Sequence, residues 1–528
     1  MHDVAVIGGG ISGVATAARL QAVGLSTIVL EAHGQPGGCA GFFRRRGFSF
    51  DVGATTLVDF SAGGIGGELL STIGLRNLNA EELPGYVAWL PDRRVTLHRN
   101  SRLWHNERLA KLGDSPCHRR LWNLLDEIAA AFWNATRRGI RLPIQSCADL
   151  VWAAQALAPP AWPLLRFLRW TVGDLLRSLT LRDDKPLVGL LSMLLEDTVH
   201  ASVDRAPLIN GSLGITIRGA GLSRARGGMR GFWQSLAARY RALGGVLQVG
   251  SPVIGIRQIG TGKGRCGFDS QYVVHSRRGS VWARHVVCAV PAEITAQLAP
   301  EPVSRRLQPF LARDADCRGG ALVLLLGVPE EEVSGQTMTH HQLLEAYNSP
   351  LGNGNNMFIS VSSPGDELSA PEGHRAVMIS THCELAEWDG LDDAAYAEKK
   401  NLATAKLLAL ARRVYPNLGS RASVIELGTP RTYERFTKRP RGAVGGYRLH
   451  LGNSNQQAIP HRTPLKGFWL AGDTTWPGLG TVACVHGSRI VAEGILAADS
   501  SFCRPSVVPI REKQYVQSDH DRQPQPVR

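Results

Sequence analysis

Short apolar runs alternate with helix-length stretches at both ends of this chain. At the start, Asp3-Val4-Ala5-Val6-Ile7 reads as a buried strand and Gly8-Gly9-Gly10-Ile11-Ser12-Gly13 as a glycine turn. Ile11 to Val23 reads as a small-residue helix stopped by Gly24, and Leu25 to Leu30 as a second strand ending at Glu31. Near the far end, Phe468-Trp469-Leu470 reads as a strand running into Ala471-Gly472-Asp473. Pro477-Gly478-Leu479-Gly480 and a helix over Thr481 to Ala497 follow. Between them the pattern predicts a helix over Gly231 to Leu243, a strand pair within Gly245 to Ile256, and a buried strand His285 to Val290 stopped by Pro291.

The opening unit carries chemistry. Gly8 makes the tight turn, Gly10 lets the backbone approach a pyrophosphate, and Gly13 lets helix and strand pack closely. The helix N-terminus then presents unpaired N–H groups and the positive end of its dipole to the phosphates. Glu31, at the tip of the second strand, is placed to accept both ribose hydroxyls. This is a dinucleotide site. FAD rather than NAD follows from the far end of the chain, because an extended flavin cofactor needs a second ligand-binding turn remote from its adenine. Asp473 is suited to the ribityl hydroxyls, and the helix start at Gly480 to the flavin edge where charge gathers on reduction. Gly37-Gly38 fits a loop running under the same cofactor.

Composition narrows the class. Hydrophobic residues are 44% and charged residues 20% of the 528, enough apolar side chain for a large core. The formal charge of +14 favours an acidic partner surface. No aromatic–basic recognition motif accompanies it, so nucleic acid is not expected as a partner. The nine cysteines contain no C-x-x-C pair and no zinc spacing, which points to a reducing compartment and no metal site. The N-terminus leaves no room for a signal peptide ahead of Val4, and no run offers the roughly 18 uninterrupted apolar residues of a spanning helix.

The sequence resembles the phytoene desaturase and carotenoid isomerase family. The resemblance rests on the opening glycine turn, Glu31, Gly37-Gly38-Cys39-Ala40-Gly41-Phe42, Arg44-Arg45-Arg46-Gly47-Phe48-Ser49-Phe50-Asp51-Val52-Gly53-Ala54-Thr55, and Gly472-Asp473-Thr474-Thr475-Trp476-Pro477-Gly478-Leu479-Gly480. Gly227-Gly228-Met229 and Thr429-Pro430-Arg431-Thr432-Tyr433, followed by Gly442 and Gly445-Gly446, extend it over most of residues 2 to 498. The arginine-rich stretch and the Cys after the glycine pair look most like carotenoid C-3',4' desaturases. The resemblance implies an α/β fold: a Rossmann-like FAD-binding domain of the glutathione-reductase/amine-oxidase type with an inserted α+β substrate domain. It implies FAD contacts at Gly8, Gly10, Ile11, Ser12, Gly13, Glu31, Gly37, Gly38, Gly53, Ala54, Thr55, Val253 (its adenine contact), Gly472, Asp473, Gly480, Thr481 and Val482. It implies an FAD-dependent desaturase of a hydrophobic polyene, with a quinone or oxygen as final electron acceptor. Many desaturases carry Arg where Cys39 stands and Gly where Ala483 stands, and His486-Gly487-Ser488-Arg489 shifts the usual Ser-Gly. These departures keep cis–trans isomerase and reductase chemistry open, alongside an amine oxidase or a prenyl-protein escort on the same fold. No acid–base residue is assigned, because the proton next to a delocalised allylic cation is acidic enough for a weak base or water.

The expected organisation places FAD-binding pieces at 1–75, 227–292 and 441–498, substrate-domain pieces at 76–226 and 293–440, and a disordered tail at 499–528. Cys147 to Leu181 sets Trp152, Trp162, Phe167 and Trp170 among aliphatic residues. From Asn134 to Arg182 seven arginines (137, 138, 141, 166, 169, 177, 182) stand against aspartates 149 and 174. This fits a segment lying in a membrane interface, and equally a buried helical pair. A water-insoluble substrate favours the first, giving a cytoplasmic protein peripherally associated with a membrane through 147–181. Arg44-Arg45-Arg46 reads as a solvated turn. Asp183-Asp184 and Glu330-Glu331-Glu332 read as surface acids, and His382-Cys383-Glu384 as structural. His340-His341, adjacent on a strand, face opposite ways and cannot share a metal.

Overall fold

In the computed structural model, which describes residues 1–76, 78–259 and 271–498, the opening strand His2–Ile7 lies inside a seven-stranded sheet. Thr27–Leu30 and Gly279–Cys288 flank it in parallel, with Val4 opposite both Thr27 and His285. Val246–Gln248 extends the sheet beyond Thr27–Leu30, and Phe468–Leu470 runs parallel to Val286–Cys288. Antiparallel strands Tyr272–Ser276 and Val253–Gln258 finish the opposite side. The strand pair expected within 245–256 is therefore two strands at opposite edges. The first follows helix Gly228–Ala242 across to Thr27–Leu30, while the second pairs with 272–276.

A parallel sheet needs cover on both faces. On one face helices Ile11–Ala22, Gly228–Ala242 and Thr481–Ala498 bury Val14, Leu20, Phe232, Trp233, Val491 and Ile495 with Val4 and Val6. On the other, helices Ala292–Leu298 and Glu301–Arg313 bring Ala292, Val303 and Leu307 against Ala5, Ile28 and Val286. Those two helices run past the expected boundary at 293 and pack on the cofactor-side sheet. They belong to the cofactor-side sheet because their apolar positions cover its second face, and the chain leaves that sheet only at strand Gly320–Pro329.

Helix Thr481–Ala498 is long and apolar enough to span a membrane by length and composition, although His486, Arg489 and Glu493 interrupt its apolar run. It is nonetheless packed on Ile11–Ala22 as a core helix, with more than half of it buried.

The second sheet has the order Val424–Gly428, Gly320–Pro329, His374–Cys383, Asn356–Val361, His340–Leu344, Gly85–Trp89, Arg94–His98. The period-2 alternation of its strands gives it two different faces. Leu322, Leu324, Leu326, Ile359 and Ile379 face helix Asp393–Ala411 and its Leu407 and Leu410. On the other face Ala321, Val323, Leu325 and Met378 meet Phe48 and Phe50 of the hairpin Phe42–Arg45/Phe48–Asp51. A third core stacks the leucine-rich helices Lys185–Val199 and Leu208–Ile215 on helix Pro116–Arg137 through Leu190, Leu194, Leu208, Leu121 and Trp122.

Of the presumed surface acids, Glu332 is buried and Asp184 is half-buried. Asp184 caps helix Lys185–Val199 at Leu187 N (3.1 Å) and holds His118 Nε2 at 2.9 Å. Glu332 is buried and accepts the N–H groups of Gly419 (2.7 Å) and Arg421 (2.6 Å) and the Ser420 hydroxyl (2.9 Å). Both carboxylates replace lost hydration with donors from distant segments. Arg44, Arg45 and Arg46 are exposed at the hairpin end, where Arg45 pairs with Glu426 and Arg46 reaches the Ser423 carbonyl at 2.7 Å. The expected tail, 499–528, lies outside the described residues.

Candidate functional site

The glycines of the first turn have three different environments. Gly8 takes a left-handed backbone (φ +102°), and a side chain there would strike the Ala289 carbonyl. At Gly13 a Cβ would collide with the carbonyl oxygen of Gly8, so that position must be bare for helix and strand to touch. Gly10 has nothing within 4 Å of where a Cβ would stand. The space is open at the N-terminus of helix Ile11–Ala22, where no side chain caps the free N–H groups. Ser12, in the first turn, has a buried hydroxyl without a hydrogen-bond partner. An open glycine, an uncapped helix start and an orphan hydroxyl together fit a phosphate.

Glu31 is held at one end of this turn. Its carboxylate accepts the N–H of Gly9 (2.5 Å) and of His33 (2.7 Å). Burial raises its pKa from the ordinary carboxylate value, although both N–H bonds oppose that shift. Segment 248–251 runs alongside: Glu31 N donates to Gln248 O (2.9 Å) and Ser251 N to Glu31 O (2.8 Å), two residues ahead of the strand that Val253 begins.

At the other end, Gly37 N donates to Gly9 O at 2.9 Å and pins the Gly37-Gly38 turn beside the first glycine turn. Trp233 Nε1 donates to Ala40 O (2.7 Å) and fixes the rest of that turn. Gly53 lies against the Cys39 carbonyl, which brings Ala54 and Thr55 in line behind it. Ala471 N bonds Cys288 O (2.9 Å), and Gly472 then lies over Ala289, the residue that backs Gly8. Gly480 is exposed with open space where a side chain would be, directly ahead of Thr481 and Val482 at the helix start. The first glycine turn, Glu31, Gly37-Gly38 and the Gly472 turn thus lie together at the ends of the parallel strands, the usual ligand position in this architecture.

Some residues at this groove gave no local sequence signal. Arg439 Nη2 lies 2.5 Å from Asp473 Oδ2. Burial works against its charge, but Asp473 and the neighbouring Cys39 outweigh burial and hold its pKa above the ordinary guanidinium value. Burial likewise pushes the Cys39 thiol up, against the pull of Arg439. Arg439 thus places a buried cation beside Cys39 and Asp473. Arg224 forms a buried ion pair with Asp51, whose other oxygen accepts Met229 N at 2.7 Å. That contact joins the arginine-rich motif to the Gly227-Gly228 turn, where a side chain on Gly228 would strike both partners. Asp366 accepts Gly227 N at 2.9 Å.

Beyond the groove, a cavity of about 40 Å³ lies between the second sheet and helix Lys185–Val199, lined by Met193, Asp197, Gln342, Phe358, Ser380 and His382. His340 and His341 point to opposite sides of their strand. His340 stacks on Tyr86 (5.0 Å), whereas His341 meets Trp89 Nε1 (3.2 Å) and the Tyr415 hydroxyl (2.9 Å). Asp314, Cys317 and His450 bring three potential metal-ligating atoms within 4.8 Å of one another. Arg313 holds Asp314 at 2.6 and 3.0 Å, Asn453 adds 3.2 Å, and Arg205 stands 3.9 Å from the thiol.

Segment 147–181 splits into helix Cys147–Ala156, a 3-10 stretch Pro159–Phe167 and helix Val172–Ser178. Phe167 and Leu164 are buried and Trp170 is half-buried. Leu150, Val151, Trp152, Trp162, Leu165 and Leu168 are instead 39% to 57% exposed, beside exposed Arg166 and Arg169. The segment is thus part core and part open apolar surface. Four of its surrounding arginines (137, 141, 177, 182) are committed to ion pairs with Asp59, Glu493, Asp174 and Asp204.

Comparison with known proteins gives this geometry a context. The profile of the flavin-containing amine oxidoreductases matches residues 11–496. Prolycopene isomerase 2 of an Oncidium hybrid cultivar is 25% identical over 530 aligned positions, covering 95% of this chain and 84% of that one. A lycopene-forming phytoene desaturase of Pseudescherichia vulneris is 45% identical, but over 62 residues only, 12% of this chain and 13% of its own. Among solved structures, putrescine oxidase bound to putrescine superposes with a TM-score of 0.61 at 16% identity, covering 94% of this chain and 99% of the other.

Proposed function

The chain belongs to the flavin-containing amine oxidoreductases, FAD-dependent oxidoreductases, and from that premise we propose that it desaturates a carotenoid, as the C-3',4' desaturases do. The observation that carries the substrate class is the likeness to prolycopene isomerase over 95% of the chain. That span takes in the second sheet and the leucine-rich helices as well as the cofactor groove. FAD supplies a two-electron acceptor when bound. Gly10, Ser12 and the helix start take the pyrophosphate and Glu31 the ribose. Asp473 takes the ribityl chain, with Arg439 held against it, and the helix start at Gly480 faces the flavin edge. The final acceptor of the electrons is a quinone or oxygen.

We place the polyene at the cavity between helix Lys185–Val199 and the sheet face that carries Phe358 and Ser380. The exposed apolar residues between Leu150 and Leu168, with Arg166 and Arg169 beside them, suit contact with an anionic lipid surface. We assign the protein to the cytoplasmic face of a membrane on that basis.

A second reading, cis–trans isomerisation without net redox change, is favoured by the same end-to-end likeness and by Cys39 and Ala483. The two separate in one experiment: the pigment profile of a lycopene- or neurosporene-producing bacterium with and without this gene, by chromatography with absorption spectra. A red-shifted product with longer conjugation is the expected result. Unchanged conjugation with altered cis bands would transfer the assignment to isomerase, and unaltered pigments would refute a carotenoid substrate.

A further inference from the structure

The cavity beside helix Lys185–Val199 is not lined by apolar groups alone. His382, near the end of strand His374–Cys383, turns its ring toward that helix, and its Nδ1 lies 3.4 Å from Glu196 Oε1. The side chains are 21% and 13% exposed, so both sit largely out of water. Asp197, one residue on, accepts Gln342 Nε2 at 3.1 Å, and Gln342 Oε1 accepts Arg218 Nη2 at 3.1 Å. His200 ends the helix in a left-handed conformation (φ 52°), with its ring 4.3 Å from that of His382. The other face of His200 rests on Gly445, where no side chain fits, and Gly446 in turn rests on the Asp473 carbonyl. Arg448, beside this turn, is tied to Glu384 at 2.6 Å. The carboxylate–imidazole pair thus stands in the wall that separates the cavity from the Gly472-Asp473 turn. The local sequence His382-Cys383-Glu384 conceals the pair, because the carboxylate comes from Glu196 on another element.

We propose that His382, oriented by Glu196, is the proton acceptor of the reaction, an inference that rests on the polyene reading above. The Glu196 carboxylate 3.4 Å from Nδ1 favours the tautomer that leaves Nε2 as acceptor, and it offsets the charge of the imidazolium that forms. Desaturation breaks two C–H bonds on adjacent carbons. From one carbon the hydrogen leaves with its electron pair as hydride to the oxidised flavin, which is thereby reduced by two electrons. From the neighbour it leaves as a proton to His382 Nε2, and the electron pair left behind becomes the new C=C bond. The proton later passes to solvent. His382 is the catalytic residue and Glu196 a positioning residue.

The test uses the full chain loaded with FAD, His382→Gln, His382→Ala and Glu196→Gln. Single-turnover polyene conversion is measured beside flavin content and polyene affinity. Histidine ¹⁵N spectra are recorded on the flavin-free protein. The expected result is that His382→Gln keeps flavin and polyene Kd within about twofold while conversion falls about 10²–10⁴-fold, the usual range for a lost general base. Added imidazole restores part of the rate to His382→Ala. The Nδ1–H tautomer of His382 is seen in the wild-type spectrum and lost in Glu196→Gln. Conversion by His382→Gln within threefold of wild type would overturn the assignment and leave the polyene reading standing. If His382→Gln does not fold, wild-type conversion by Glu196→Gln overturns it instead. A wild-type protein that converts no polyene refutes both readings together.

Discussion

Gly10 separates cofactor binding from folding more cleanly than any other position in the groove. Its backbone (φ −73°, ψ 176°) is open to any residue, and an added Cβ meets nothing within 4 Å. In flavin-free protein, Gly10→Ala loses a little as a helix cap and gains a little by stiffening the unfolded chain. Each effect is about 0.5–1 kcal/mol, so they nearly cancel. With FAD the outcome differs, because the methyl group occupies the space a phosphate must enter. FAD at a hundred times its Kd stabilises the wild type by about 2.7 kcal/mol. At about 2.1 cal/mol/K per residue, a chain of 528 residues has an unfolding entropy near 1.1 kcal/mol/K, so that stabilisation raises Tm by about 2–3 °C. Gly10→Ala should show the wild-type Tm without FAD, no rise with it, and a purified protein that lacks flavin absorbance. Gly13→Ala is the contrast. Its Cβ meets the Gly8 carbonyl, a backbone atom that cannot swing aside, so it should lose about 1–3 kcal/mol with or without FAD. A Gly10→Ala protein that keeps both its flavin and the FAD-dependent rise would refute the placement of the pyrophosphate.

The remaining predictions concern stability and surface. Asp51→Ala leaves Arg224 buried without its counter-charge and should cost about 3–5 kcal/mol in urea unfolding; adding Arg224→Met should recover much of that, whereas additive losses would show that charge burial is not the cause. Burial lowers the pKa of His341 and His461 to about 4 and that of His486 to about 3. Below the unfolded value near 6.5 the unfolded chain binds protons that these folded rings refuse, so stability should fall as pH drops from about 6.5 to 4. The slope should be about 1.4 kcal/mol per pH unit for each histidine; a flat profile of urea midpoints across that window would contradict it. Trp162→Glu with Leu168→Glu should abolish co-sedimentation with phosphatidylglycerol vesicles while leaving the urea midpoint unchanged; retained binding would remove this patch as the lipid contact.

What the sequence made legible was what it encodes locally. The first strand–turn–helix–strand unit, Glu31 and the Gly472-Asp473 turn each combine a period with a residue type in one short window, and the structure brings them into one groove. Pairings between distant segments were not legible. Val246–Gln248 and Val253–Gln258 are neighbours in sequence with similar composition, yet their partners are fixed by the sheet edges left vacant by strands far away. Arg439, Arg224 and Glu196 belong to the same class. Each is an ordinary charged residue in its own window and becomes informative only beside Asp473, Asp51 or His382. Glu332 and Asp184 sit in acidic runs that resemble solvated turns, and only the amide, hydroxyl and imidazole groups that fold against them show otherwise. Cys39 is the instructive case: its own window holds no cation at that position, and the fold sets Arg439, distant in sequence, beside it.

The strands of the cofactor-side sheet come from residues 2–30, 246–288 and 468–470, and its last covering helix ends at 498. On a ribosome, at about 5–20 residues per second, the first glycine turn waits about 20–90 s for the strand that completes its groove. Until then Val286–Cys288, once made, pairs with Ala5–Ile7 on one side only, and the uncapped helix start has no second turn opposite it. A nascent chain in that interval therefore presents a half-built sheet, and the groove closes only once residues 468–498 have emerged.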